Sequence, residues 1–247
     1  MRKTVLVTGS SSGIGKEIAR ILAKDYDVIL HYNSNENSTK LLKEELDKEY
    51  NRDYLMVKCD LSKEDEIDNM LDIIYTKYDS IDILINNAGI AIDTLFEDKT
   101  KDNFMKTLDI NLIAPFLLCK KIGPKMVDNK YGVIINISST NGIDTPYIES
   151  IDYDASKAAL NALTHDLAMQ WGPYIHVNAI APGFIGTESE LDGYDEDFLK
   201  QECEKILVER YGKPEEVAYL VKFLISEEAD YINNTIIRID GGQKGSC

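Results

Sequence analysis

Lys3-Thr4-Val5-Leu6-Val7-Thr8-Gly9-Ser10-Ser11-Ser12-Gly13-Ile14-Gly15 is the stretch on which the fold turns. Its first half is short and apolar nearly throughout; its second half is a glycine-rich turn, and apolar residues at helical spacing continue from Ile14 to about Lys24. A strand buried on both faces has this composition, and in a parallel sheet helices supply the cover. Gly9 permits a tight turn, Gly13 lets the backbone approach a ligand, and Gly15 allows close packing of helix on strand.

The same alternation runs outward along the chain. Strands are expected at Val28–Tyr32, Tyr54–Cys59, Ile81–Ile85, Val133–Ile137, Ile175–Ala179 and Thr235–Ile239, separated by amphipathic helical stretches. One such helix covers Lys63–Lys77, with Ser62 as its cap. A long helical region spans Lys101–Met126; Pro115 can kink it, and Asn111 sits just before the kink. Gly186–Gly193 reads as a polar loop, followed by a short helix over Glu196–Leu207. No linker divides the 247 residues, so the fold class expected is α/β: one domain over 1–247, a single doubly wound parallel sheet with helices on both faces.

Composition narrows the partners. With 43 acidic against 27 basic residues the formal charge is −16, which disfavours nucleic acid and anionic membrane surfaces. Four scattered cysteines (Cys59, Cys119, Cys203, Cys247) and three histidines give no metal-ligand spacing, so no metal is expected. The opening apolar run is too short for a signal peptide core and no 18-residue apolar run follows, which points to a reducing cytoplasm with free thiols.

A glycine-rich turn opening the helix after a first strand is the arrangement that binds a dinucleotide, with helix N–H groups and the Ser11 and Ser12 hydroxyls on the phosphates. Lys16 is followed by Glu17 rather than Ser or Thr, which disfavours a nucleoside triphosphatase. The second strand ends His31-Tyr32-Asn33-Ser34 with no acid. A carboxylate there would bind a ribose 2′-hydroxyl and repel a 2′-phosphate, so the reading favours NADP(H) over NAD(H), with Lys16 or His31 as a helper from across the loop. Asp60 is either an adenine-edge contact or a helix-capping carboxylate.

Tyr153 and Lys157 stand four residues apart, on one face of a helix. A lysine cation beside a phenol lowers its pKa, which suits the pair to move a proton to or from a carbonyl or alcohol oxygen. Ser139, just past the fifth strand, would lie at the carboxyl edge of the sheet and donate to the same oxygen. The Asn111 amide could hold a water on the proton path. Cys203 and His176 are formally a nucleophile and a base, but nothing brings them together.

Thr8-Gly9-Ser10-Ser11-Ser12-Gly13-Ile14-Gly15, Asn86-Asn87-Ala88-Gly89, Asn111, Ser139, Tyr153-x-x-x-Lys157 and Pro182-Gly183, in this order, resemble the short-chain dehydrogenase/reductase family over essentially the whole length. The resemblance implies a Rossmann-like fold and a catalytic tetrad of Asn111, Ser139, Tyr153 and Lys157, with Tyr153 as acid or base and Lys157 also on the nicotinamide ribose. It implies further cofactor contacts from Tyr32, Asp60, Leu61, Asn87, Ala88, Gly89, Pro182, Gly183, Ile185 and Thr187.

Within the family the chain looks most like bacterial 3-oxoacyl-[acyl-carrier-protein] reductases, on Asn178–Ile185, Tyr211–Glu216 and Asp240-Gly241-Gly242. That implies a thioester-linked carbonyl substrate in fatty acid biosynthesis and acyl carrier protein as a partner. A sugar, polyol or hydroxysteroid dehydrogenase is the alternative, and a nucleotide-sensing scaffold the non-enzymatic one. The turn before the sixth strand lacks the arginine such reductases use for docking, which leaves Lys121, Lys125 and Lys130 as a candidate basic patch. The acidic segment within 186–208 resembles the family's substrate lid. Phe104, Phe116, Leu160 and Leu167 are candidates for the helix faces through which the family assembles, here as a homotetramer.

Overall fold

The structure, a computed structural model, describes residues 2–193 and 195–243; Tyr194 in the expected lid and Cys247 lie outside the described residues. Strands β1 (Thr4–Val7), β2 (Asp27–Tyr32), β3 (Leu55–Lys58), β4 (Ile83–Asn86), β5 (Gly132–Ile137), β6 (Ile175–Pro182) and β7 (Ile236–Ile239) form one sheet in the order β3-β2-β1-β4-β5-β6-β7. Every pairing is parallel; Val5 pairs with Val28 on one side and Ile83 on the other, and Ile83 with Val133.

Side-chain parity explains why these strands are apolar on both faces. Val5, Val7, Val28, Leu30, Ile83 and Ile85 enter one core, against helices α1 (Gly13–Ala23), α2 (Glu36–Tyr50) and α9 (Pro214–Leu224). Leu6, Ile29, Leu84 and Ile134 enter the other, against α3 (Glu64–Lys77), α5 (Ala114–Asp128) and α6 (Ile151–Trp171). Each such buried aliphatic side chain contributes about 1.5–3 kcal/mol relative to exposure, so a one-residue register slip would expose a whole set.

The long helical region is not one kinked helix. α4 (Lys101–Leu108) passes into a π-helical turn, Asp109–Ile113, and then into α5. Pro115 has no N–H to return to the Asn111 carbonyl four residues back, so the chain widens there, and the Ala114 N–H bonds five residues back to Asp109. Asn111 therefore sits inside the wide turn.

Two local expectations are corrected. Ser62 does not cap α3: its N–H and hydroxyl both donate to Asp60 Oδ1, at 3.1 and 2.7 Å, and extended Lys63 takes the cap position. The 186–193 segment is not all loop, because the Thr187 hydroxyl accepts from the Glu190 N–H and starts a short helix, α7 (Glu188–Asp192), before α8 (Glu196–Glu204).

Candidate active site

Strand order reverses between β1 and β4, and at the carboxyl ends of those strands a parallel sheet opens a crevice for ligand. A cleft of about 460 Å³ lies there. Gly9, Ser11, Ser12, Ile14 and Gly15 line it from the first turn, Asn33 and Ser34 from the end of β2, Leu61 from beyond β3, and Asn87, Ala88 and Gly89 from beyond β4. Thr187 reaches it from the base of α7. Gly13 turns in the left-handed region at φ +53°, where a Cβ would come within 3.2 Å of Thr187 Cγ2.

The turn fits a dinucleotide. α1 begins at Ser12 with no side-chain cap, so its first-turn N–H groups stand free for phosphate at the cleft. Gly15 packs so closely that a Cβ would lie 2.3 Å from the Gly9 carbonyl oxygen and 2.4 Å from Asn87 Nδ2. Asn87 Nδ2 itself donates to the Thr8 carbonyl at 2.9 Å, tying the β4 end to the turn.

Of the other expected cofactor contacts, Tyr32, Asp60, Pro182, Gly183 and Ile185 are not among the residues that line this cleft. Tyr32 is buried within β2, and Asp60 accepts from Ser62 and pairs with Lys63. Ile185 is buried in the core formed with Val217 and Val221. Pro182 ends β6, and Gly183 packs against Asp240, where a Cβ would meet Asp240 Cβ at 2.6 Å. Conversely, Asn35, Cys59, Ile90 and Ile110 line the cleft without having been expected there. Ile110 carried no sequence signal, since only the π turn aims it at the cleft.

His31 is not a phosphate partner. It is buried, its Nδ1 accepts from the Gly9 N–H at 3.0 Å, and its Nε2 bonds the Cys59 carbonyl at 3.0 Å. Burial pushes its pKa down to about 4, so it is a neutral brace of the turn.

The second half of the site gathers beyond β4 and β5. Tyr153 and Lys157 lie on α6, with Lys157 Nζ 5.4 Å from the Tyr153 ring centroid. Lys157 is buried and donates to the Ile137 carbonyl at 2.8 Å. Ser139, in extended backbone just past β5, lies beside the Tyr153 phenol and acts to lower its pKa, while its hydroxyl donates to Asn141 Oδ1 at 3.0 Å and accepts from the Asn141 N–H at 3.2 Å. Ser138, of opposite parity, turns to the Lys157 carbonyl instead. A Cβ on Gly89 would sit 3.2 Å from Asn111 Oδ1 and 3.5 Å from Lys157 Nζ, which joins the cleft wall to this group.

Two expectations about these side chains change. The Asn111 amide hydrogens are both engaged, donating to the Ile90 carbonyl at 2.9 Å and Ser156 Oγ at 3.0 Å, while Oδ1 accepts from the Ile90 N–H at 2.9 Å. Its side chain ties the segment after β4 to the π turn rather than offering hydrogens to a water. Nor does Lys157 bring the Tyr153 pKa below its ordinary value here. Burial dominates and pushes the phenol up to about 12, the nearby Ser139 hydroxyl working against it, and burial also lowers Lys157 to about 8.

A glycine turn braced under a dinucleotide-sized cleft, with a tyrosine, a lysine and a serine converging beside it, agrees with comparison to known proteins. A family model for short chain dehydrogenase matches residues 3–195. The chain belongs to the short-chain dehydrogenase family. It is 39% identical over 241 residues to 3-oxoacyl-[acyl-carrier-protein] reductase FabG of Rickettsia typhi, covering 97% of this chain and 96% of that one. Glucose 1-dehydrogenase 2 of Bacillus subtilis is 34% identical over 244 residues, covering 97% and 94%. Among solved structures, a gluconate 5-dehydrogenase from Burkholderia cenocepacia J2315 in complex with NADP and tartrate superposes with a TM-score of 0.89 at 27% identity, covering 97% and 94%.

This short-chain dehydrogenase is thus an NAD(P)-dependent oxidoreductase. Among the described residues, no three His, Cys, Asp or Glu side chains are grouped to hold a metal, and no helix is long and apolar enough to cross a membrane.

Proposed function

We propose that the protein reduces a 3-oxoacyl thioester with NADPH, as a 3-oxoacyl-[acyl-carrier-protein] reductase, with residues 1–247 acting as one domain and 186–208 as its lid. The observation that carries the reaction type is the Tyr153 phenol with Ser139 beside it and Lys157 Nζ 5.4 Å from its ring centroid, just past the carboxyl end of β5. When bound, the nicotinamide exchanges hydride with the substrate carbon. The chain's residues manage the oxygen and its proton.

Ser139 orients the substrate oxygen. With its pKa near 12, Tyr153 is a protonated phenol at neutral pH, the state a proton donor needs for reduction. Giving up that proton leaves a phenolate, which the largely cationic Lys157 stabilises, and general acid catalysis of this kind contributes typically 10²–10⁴-fold. Lys157 and Asn111, held beside Gly89, complete the site as the contact to the nicotinamide ribose and the brace of that wall.

Preference for NADP(H) is supported by the carboxylate-free end of β2, where Asn33, Ser34 and Asn35 face the cleft. The solved relative bound to NADP points the same way. Acyl carrier protein as partner and a homotetramer are part of the same reading. For the latter, Phe116 is exposed and Phe104 and Leu167 are half-buried, whereas Leu160 is buried within the subunit and offers no interface.

A second reading, oxidation of a neutral sugar or polyol, is favoured by charge. Lys121 is paired with Glu64 and Asp68 at 2.9 and 2.7 Å, Lys125 Nζ lies over the Tyr75 ring at 4.6 Å, and Lys130 precedes β5 at the amino edge of the sheet, away from the site. No basic patch therefore faces an acidic carrier from these lysines, while Glu190 and Asp93 direct negative potential at Tyr153. Initial rates with acetoacetyl-coenzyme A and NADPH, against glucose, gluconate and polyols with NADP and NAD, test both. Faster turnover of a sugar than of the thioester overturns the first reading, and tighter NADH than NADPH binding overturns the cofactor assignment.

A further inference from the structure

The residue before Tyr153 is a carboxylate with no access to solvent. Asp152 is 0% exposed at its side chain, and Lys99, 5% exposed, donates to its Oδ1 at 2.8 Å. Its other oxygen, Oδ2, accepts from the Thr107 hydroxyl at 2.7 Å. Burial acts to raise the Asp152 pKa, but the donors Lys99 and Thr107 hold it below the ordinary carboxylate range. The same Lys99 ammonium also donates to the Ile92 carbonyl. Three parts of the chain thus meet at one ion pair: the segment after β4 at Ile92, α4 at Thr107, and the first turn of α6.

Stability alone does not account for such a pair. Desolvating two charges costs several kcal/mol each, and their attraction typically does little more than offset that cost. What the pair adds is a fixed geometry, because both carboxylate oxygens and the ammonium have directed partners. The neighbouring contacts stitch the same seam: the Ser150 hydroxyl bonds Asp93, and the Thr94 N–H donates to the Glu149 carbonyl at 3.1 Å. On its inner side the first turn of α6 is held by the Ser156 hydroxyl, which donates to the Tyr153 carbonyl at 2.7 Å and accepts from Asn111 Nδ2.

We propose that Lys99 and Asp152 are a positioning pair: by locking the first turn of α6 to the segment after β4 and to α4, they set where the Tyr153 hydroxyl stands relative to Ser139. Neither touches the reacting atoms. The proposal rests on Tyr153 being the proton donor. Loss of the lock lets the phenol drift, and a misplacement of about 1 Å at a reacting group costs on the order of 100-fold in rate.

The experiment uses the intact protein with NADPH and acetoacetyl-coenzyme A, or gluconate and NADP if that pair turns over faster. Lys99→Met should lower kcat by about 10- to 100-fold while the NADPH dissociation constant stays within about twofold, and Lys99→Arg, which keeps the charge and the donors, should restore most of kcat. The double variant Lys99→Met/Asp152→Leu removes both charges and guards against a folding defect; it should fold and remain slow. A second readout is the ¹³Cζ resonance of Tyr153 in ¹³C-tyrosine-labelled protein, assigned by its loss in Tyr153→Phe. It should move in Lys99→Met and return in Lys99→Arg. Unchanged kcat and an unmoved resonance in Lys99→Met, or full activity in the double variant, overturns the positioning role. An active Tyr153→Phe instead overturns the proton-donor reading beneath it.

Discussion

The Gly9 N–H donates to His31 Nδ1 across 3.0 Å, so the first glycine of the phosphate-facing turn is held by the end of the neighbouring strand. Nε2 of the same ring, bonded to the Cys59 carbonyl, carries the hydrogen, and His31 must be neutral to make both contacts. Its carbonyl accepts from the Ser10 N–H at 3.0 Å, fixing the next residue too.

That relationship makes stability depend on pH with a definite sign. The His31 pKa is lowered from 6.5 unfolded to about 4 folded, so between those values the unfolded chain binds the extra proton. The contribution is complete above pH 6.5 and is lost as pH falls toward 4, amounting to about 3 kcal/mol. Thermal unfolding from pH 4 to 7 should show this slope, and His31→Gln should flatten it. An equally steep slope in the variant would mean that other groups carry it.

Tyr153→Phe should lower turnover by at least about 10²-fold and leave NADPH binding nearly unchanged, as measured by kcat and fluorescence titration. Lys157→Ala should weaken both. Because burial brings Lys157 down to about 8, its ammonium is lost above that pH, and kcat/KM for reduction should decline as pH rises past 8. A flat profile to pH 10 would remove the cation from the mechanism.

Gly15→Ala places a methyl 2.3 Å from the Gly9 carbonyl oxygen and 2.4 Å from Asn87 Nδ2. The turn must open to admit it, at a cost of about 1–3 kcal/mol. The melting temperature should fall and NADPH affinity should fall with it; a wild-type affinity would show that the close approach of helix and turn is not needed for binding.

Asn33→Asp puts a carboxylate at the end of β2, on the cleft wall. Repulsion of a 2′-phosphate should weaken NADPH binding by at least about tenfold, or 1.4 kcal/mol, and leave NADH unaffected or improved. Equal effects on both cofactors would place the 2′-phosphate elsewhere.

Much of the fold was legible in runs such as Val5-Leu6-Val7 and Ile83-Leu84-Ile85, because a strand covered on both faces must be apolar at both parities. The π turn was legible only as a break: Pro115 announces a missing hydrogen bond but not how the chain absorbs it. For the site, the glycine turn and the Tyr153–Lys157 spacing show which residues share a loop or a helix face. They do not show solvent access, so the direction of the Tyr153 pKa was misread from the adjacent lysine when burial controls it.

The sequence by itself determined the alternation of strand and helix, the turn at Gly9–Gly15 and the helical face shared by Tyr153 and Lys157, because these depend on residues a few positions apart. Tertiary structure decided that His31 braces Gly9, that Lys99 reaches Asp152, that Lys121 is paired with Glu64 and Asp68, and that Asn111 holds Ile90. Those partners lie from 21 to 57 residues apart along the chain, and only the packing of the sheet and its helices brings the groups within hydrogen-bonding distance and removes the water that would otherwise compete.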